Sequence, residues 1–243
     1  MEVVSFFSAK GGTGKTTFNL LFASYLSYIC KKRVLMLDFD GPEYNALLTR
    51  KRELAVNKDV DEKELYPLEM VSDRSINSVN ALAKKLDALK EHIDYVIMDF
   101  GGSFEPTDAV CQMAKAKVLD TVIIPVEMDG MAISAAKSLA KVFQSFGQRT
   151  ILFFNKVHGK EKPELYEALD EWFAKNNLNI SKNRVKMAIS LKRDSDSDGM
   201  YLRSSICFPK KDIKAINPAI INLFDEVVGY EGQEQRQDAK SGD

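Results

Sequence analysis

The sequence predicts a single α/β domain, a doubly wound and mostly parallel sheet flanked by helices. Short apolar or β-branched runs alternate with amphipathic helical stretches along the chain. The connections between them are short, as in successive strand–helix units with right-handed crossovers. A glycine-rich loop follows the first apolar run and opens the first helical stretch. The chain has 243 residues, 45% of them hydrophobic, enough for one sizeable core and at most a small appendage.

The predicted strands are residues 3–8, 33–38, 65–71, 95–99, 121–125, 150–155 and 185–189. The predicted helices are 15–30, 76–91, 107–117, 131–146, 162–175 and 216–228. In the first helix Phe18, Leu21, Phe22, Tyr25, Leu26 and Ile29 recur at helical spacing. Residues 50–63 are charged and weakly periodic, and are expected to form an exposed helix or loop. The domain is expected to span residues 1–228, followed by a polar, disordered tail at 229–243. The sequence shows no internal repeat.

Charge and cysteine usage narrow the function classes. Thirty-four Lys and Arg against 35 Asp and Glu give a net charge of −1, so any DNA binding needs a local basic patch. Basic clusters occur at 31–33, 50–52, 182–186, 192–193 and 210–214, the last ones candidates for a DNA surface. Cys30, Cys111 and Cys207 lie too far apart for a disulfide framework or zinc spacing, and a reduced, cytoplasmic compartment is expected. No secretory signal is expected, and no apolar run approaches the roughly 20 residues that a membrane helix needs.

The glycine loop reads Ala9-Lys10-Gly11-Gly12-Thr13-Gly14-Lys15-Thr16-Thr17. A strand before and a helix after it are the context of a phosphate loop. Gly11, Gly12 and Gly14 let the backbone approach phosphate, and the helix N-terminus adds partial positive charge. Thr13 completes the cradle, Lys15 is expected to reach the β- and γ-phosphates, and Thr16 to ligate Mg²⁺. Thr17 is expected to bond the α-phosphate. Ala9 stands where the usual pattern starts with Gly. The fold expected is that of the P-loop NTPases.

Lys10 makes the loop unusual. The run Lys-Gly-Gly-x-Gly-Lys-Thr resembles the deviant Walker A motif of the ParA/MinD/Soj family of ATPases, and the resemblance extends from residue 3 to about residue 228. It implies ATP and Mg²⁺ as cofactors and an ATP-dependent homodimer in which Lys10 touches the partner's nucleotide. A second cation near the transferring phosphoryl group offsets developing charge there. Asp38-Phe39-Asp40 is similar to the family's Asp-x-Asp motif, which assigns Asp40 to the attacking water and Asp38 to a Mg²⁺-bound water. Gly41-Pro42-Glu43 follows in place of the family's Pro-Gln. Asp99 ends an apolar run as a Walker B aspartate does, and is assigned to the metal shell. Gly101-Gly102 replaces the family's Pro-Pro, so the γ-phosphate switch is expected to move differently. Asn155 is placed to contact the base, and His158, where GTPases have Asp, argues for adenine.

Three further patterns carry less weight. Residues 194–199 match half of a calcium loop, but the twelfth position is Ser205. His92 and His158 stand alone, and Asp99-Phe100-Gly101 lacks the catalytic loop of a kinase. The resemblance thus implies a ParA-like ATPase partitioning a plasmid or chromosome through non-specific DNA, with a ParB-like stimulating partner. The chain starts at its first strand, so no operator-specific repression is expected. A MinD-like or conjugation-associated ATPase that positions a protein cargo without DNA stays open. The tail has no apolar face for a membrane, Cys111 supplies no pair for an iron–sulfur cluster, and Tyr230 is no tyrosine cluster. A small-molecule P-loop kinase or ligase would need an acceptor pocket, which no sequence feature identifies.

Overall fold

Alternation within each strand sorts its side chains to two faces. In β1 (Glu2–Phe6) Val3 points to one layer, Val4 and Phe6 to the other. The same sorting holds in β4 (Tyr95–Asp99), β5 (Thr121–Val126) and β6 (Arg149–Val157), whose apolar residues are buried on both sides. Such near-continuous apolar strands belong to a parallel sheet covered on both faces. The computed structural model describes residues 1–73, 76–105, 108–159, 161–187, 206–207 and 217–229.

With β2 (Val34–Asp38), β3 (Leu68–Met70) and β7 (Val185–Lys186), these strands form a seven-stranded sheet in the order β3-β2-β4-β1-β5-β6-β7. Every neighbouring pair is parallel. One face is covered by α1 (Lys15–Ser24), α2 (Asn45–Val56) and α7 (Pro218–Val228). The other packs against α3 (Ile76–Ala88), α4 (Ala109–Lys115), α5 (Gly130–Phe146) and α6 (Pro163–Lys175). From β1 the chain steps outward to β2 and β3, returns to β4, then crosses β1 to β5. The order therefore reverses around β1, which puts the phosphate loop at a topological switch point on the carboxyl edge.

Local chemistry explains the boundaries. Asp129 caps α5 by accepting the N–H groups of Met131 and Ala132, and Gly147 ends it at φ 92°. Asn217 caps α7 ahead of Pro218. The predicted helix over 15–30 is α1 plus one π-helical turn, Tyr25–Ile29. The third strand is shorter than 65–71 because Leu65 and Tyr66 turn into the core and Pro67 has no N–H for a ladder. The predicted tail beyond Gly229, the calcium-like run, and the basic clusters 192–193 and 210–214 lie outside the described residues.

Most of the charged stretch 50–63 is the exposed helix and loop expected, but two of its charged residues are buried. Arg50 and Glu53 lie on α2 and are 3% and 0% exposed. Arg50 donates to the Tyr66 carbonyl at 2.7 Å and stacks on the Tyr66 ring at 4.2 Å. Glu53 accepts the N–H groups of Ile206 and Cys207 at 3.0 Å each, while Ser24 and Tyr28 donate to their carbonyls. Glu53 is tolerated inside the protein because it is so partnered, whereas Arg50 Nε and Nη2 have no hydrogen-bond partner among the described residues.

The centre of the α1/α7 layer is aromatic. Phe6 packs against Phe18, Phe22, Phe153 and Phe224 at centroid distances of 5.5, 5.6, 6.2 and 5.8 Å. Phe6→Ala is expected to cost about 3–5 kcal/mol, read as a lower urea midpoint at unchanged m.

Candidate active site

The loop after β1 needs backbone that side chains disfavour. Gly12 and Gly14 have φ of 72° and 94°. Gly14 is the N-cap of α1 and offers no side-chain acceptor, so the first N–H groups of the helix remain open to an anion. Lys15 is 8% exposed and its ammonium donates to the Lys10 carbonyl at 3.2 Å. Burial lowers its pKa, against the opposing pull of Asp99 and Asp40. A dehydrated ammonium with one neutral acceptor is poised for phosphate.

The end of β6 holds this loop from the side. Asn155 Nδ2 donates to the Thr13 carbonyl at 2.8 Å, and Asn155 Oδ1 accepts the Lys156 N–H at 2.9 Å. Asn155, expected to read the base, thus supports the loop and keeps one N–H for a ligand. A register shift between Asn155 and Val157, with Lys156 at φ 57°, re-aims the lysine. Its ammonium donates to the Gly12 carbonyl at 2.6 Å and pairs with Glu127 at 2.5 Å. The other Glu127 oxygen pairs with Lys10 at 3.1 Å, and Asp129 lies 3.5 Å from the same ammonium. The Glu127 hydrogen bond raises the Lys10 pKa, so Lys10 is cationic. Its side chain is 52% exposed, and pairs in such a setting are weak and easily exchanged.

The acidic residues meet at the ends of two neighbouring strands. Asp38 of β2 stands in direct register with Asp99 of β4. Both are fully buried. Asp38 accepts the N–H of Asp40 at 3.0 Å with one oxygen, and those of Ala46 and Leu47 at 3.0 and 3.1 Å with the other, capping α2. Burial nevertheless raises its pKa. Asp99 Oδ1 accepts from Asn19 at 2.8 Å, and Asp99 Oδ2 has no hydrogen-bond partner among the described residues. Burial, then the Asp38 charge, push Asp99 up to about 7, while Asn19 and Thr16 offset part of this. Asp40 is less enclosed, and its Oδ2 accepts from Asn45 at 2.9 Å.

An orphaned, buried carboxylate oxygen near the Thr16 hydroxyl fits a hard cation such as Mg²⁺. No three acidic, His or Cys side chains form a metal cage by themselves among the described residues. A cation there needs phosphate and water to complete its shell, as Mg²⁺ sites generally do.

Sequence reading did not single out Asn19, Asn45, Glu127 or Lys156. Asn19 accepts the Phe6 N–H at 2.8 Å and joins β1 to Asp99. Its one signal is an Asn amid Phe18, Leu20 and Leu21, on a face that should be apolar.

With this geometry in hand, comparison with known proteins decides the family. The CobQ/CobB/MinD/ParA nucleotide binding domain model matches residues 4–196. The chain belongs to this family. The matched region of this nucleotide binding domain contains the loop, lysines and acidic strand ends described above. Among solved structures it is similar to the MinD cell division protein of Aquifex aeolicus, at 17% identity and TM-score 0.66 over 96% of this chain and 99% of that one. A putative plasmid partition protein of Borrelia burgdorferi B31 bound to AMPPNP matches at 18% identity and TM-score 0.59, over 93% and 98%. The pNOB8 ParA bound to nonspecific DNA matches at 16% identity and TM-score 0.59, over 95% and 99%. Comparison with curated protein sequences returns no significant match. No helix among the described residues is long and apolar enough to cross a membrane.

The buried Asp99 makes a pH-dependent prediction for the protein without nucleotide or divalent cation. Its folded pKa of about 7 lies above the ordinary 3.8, so its contribution to stability is full below about pH 4 and is lost as pH rises through 7. Asp99→Asn is therefore expected to stabilise the fold by about 1–3 kcal/mol at pH 8, with the gain vanishing towards pH 4. Urea titrations across that range check it.

Proposed function

We propose that the protein is a ParA-like ATPase in which ATP·Mg²⁺ binding forms a homodimer. The dimer binds DNA non-specifically, and hydrolysis stimulated by a ParB-like partner releases it, partitioning a plasmid or chromosome. One observation carries this reading. Besides the buried Lys15, a second loop lysine, Lys10, stands half exposed at the mouth of the site, held by weak pairs to Glu127 and Asp129. A cation so placed can exchange those carboxylates for the phosphates of a second copy. Beside it, a cleft of about 320 Å³ opens between the loop and α5, walled by Pro125, Ala132, Ala136 and Leu139. Met131, 85% exposed, sits on its rim and gives a second copy an apolar surface to cover.

In this reading Lys15 and the loop N–H groups bind the β- and γ-phosphates, and Thr17 the α-phosphate. Thr16 and Asp99 would hold Mg²⁺, and Asp38 would hold a Mg²⁺-bound water. Bound Mg²⁺ neutralises phosphate charge. Asp40 orients the attacking water, and Lys10 of the second copy offsets charge as the γ-phosphoryl departs. DNA binding draws support from the likeness to pNOB8 ParA and from the exposed Lys182 and Lys186. Two other basic clusters are partly spent: Arg33 pairs with Asp94, and Arg50 is in the core. The likeness to MinD, and to a MinC:MinD complex at TM-score 0.65, favours a second reading in which the dimer positions a protein cargo without DNA.

Three variants test the assignments. Lys15→Ala abolishes nucleotide binding, Lys10→Ala keeps it but loses dimerisation or turnover, and Asp40→Ala traps the ATP dimer. Nucleotide titration, light scattering and phosphate release measure these, and normal dimerisation and turnover by Lys10→Ala refutes the trans role. For the target, random-sequence duplex is titrated with Asp40→Ala in ATP and in ADP across salt. Binding that needs ATP and weakens steeply with salt is expected. A dimer that ignores DNA sinks the partition reading and leaves the cargo one.

A further inference from the structure

We propose that Gly101 is a positioning residue: its bare backbone fixes the Asp40 carboxylate, so that the loop after β4 sets the geometry of hydrolysis. This rests on the ATPase reading above. A Cβ at position 101 would lie 2.9 Å from Asp40 Oδ1. That is too close for a carbon and a carboxylate oxygen, so a side chain there forces one of them to move.

Asp40 has little freedom to yield. Its Oδ2 accepts from Asn45 at 2.9 Å. Its N–H donates to Asp38 Oδ1 at 3.0 Å, and its carbonyl accepts the Tyr44 N–H at 2.8 Å. The backbone is thus pinned on both sides, and the carboxylate can turn away only by giving up Asn45. The loop cannot retreat either. Phe100, directly before Gly101, is 2% exposed and packs on Phe39 and Phe7 at centroid distances of 4.9 and 6.3 Å. The displacement therefore falls on Asp40.

The next residue repeats the arrangement on the other group of the site. A Cβ at Gly102 would lie 3.2 Å from Lys15 Nζ and 3.9 Å from the Gly11 nitrogen. Neither glycine has the positive φ that would by itself demand glycine. The requirement at 101 and 102 is for space against Asp40 and Lys15. Two adjacent residues without side chains let the end of β4 touch both the group assigned to water and the group assigned to phosphate. A shift of this loop is then transmitted to both by contact.

The test is steady-state ATP turnover with saturating Mg²⁺ in Gly101→Ala, Asn45→Ala and the double variant. Gly101→Ala is expected to lower kcat about tenfold to hundredfold, the scale for an ångström of misplacement, with KM for ATP within about twofold. Asn45→Ala, releasing the other Asp40 oxygen, lowers kcat in the same way. Because both act through one carboxylate, the double variant is no slower than the poorer single. A purely structural defect would instead raise KM and lower the unfolding midpoint. Gly101→Ala at full rate while Asp40→Ala is inactive overturns the positioning role alone, as does a double variant in which the two losses multiply. Undiminished turnover by Asp40→Ala overturns the ATPase assignment of Asp40, and the positioning role with it.

Discussion

The parallel register that seats Asp38 beside Asp99 is the constraint around which the site is arranged. Two carboxylates on neighbouring strands, both without solvent, repel each other and resist ionisation. The fold answers them unequally. Asp38 is given three N–H donors and becomes the cap of α2, whereas Asp99 receives Asn19 on one oxygen and nothing among the described residues on the other. That asymmetry leaves one unmet electrostatic demand at the carboxyl edge of the sheet, beside the phosphate loop. A hard cation would satisfy it, and such a cation would draw on phosphates to complete its shell.

The loop on the opposite flank of β1 is governed by carbonyls instead. Gly12, Thr13 and Lys10 point carbonyl oxygens at Lys156, Asn155 and Lys15 respectively. Two of these donors come from consecutive residues of β6, possible because a register shift turns Lys156 out of the strand pattern. Glu127 then joins Lys156 of β6 to Lys10 of the loop, so both lysines answer to one carboxylate. The phosphate loop is therefore fixed by β6 and tethered, through its own Lys10, to Glu127 just after β5.

Much of this was legible from local sequence. Apolar runs gave the seven strands, and β4 matches its expected bounds because Asp94 and Asp99 bracket it with charge. The loop residues, Asp38, Asp40 and Asp99 could be named because each sits at a strand end beside a motif. Asn19, Glu127 and Lys156 escaped because their partners lie 80, 117 and 144 residues away, and nothing in their own neighbourhood announces them. Arg50 and Glu53 were misjudged for the same reason. A charged helical face looks solvated until the Tyr66 carbonyl and the N–H groups of residues 206–207 are brought to it. The Gly101–Asp40 approach is likewise a matter of three-dimensional clearance, which no spacing rule encodes.

Helix α2 is anchored at both ends of its buried face by carboxylates. Asp38 grips it at Ala46 and Leu47, and Glu53, a little further on, grips residues 206–207. These anchors are about 10 Å apart along the axis at 1.5 Å rise per residue. The helix is thus a lever arm with its fulcrum at the acidic strand end. A tilt of about 6° there carries Glu53, and the backbone hung on it, by about 1 Å, on the order of a third of a hydrogen-bond length.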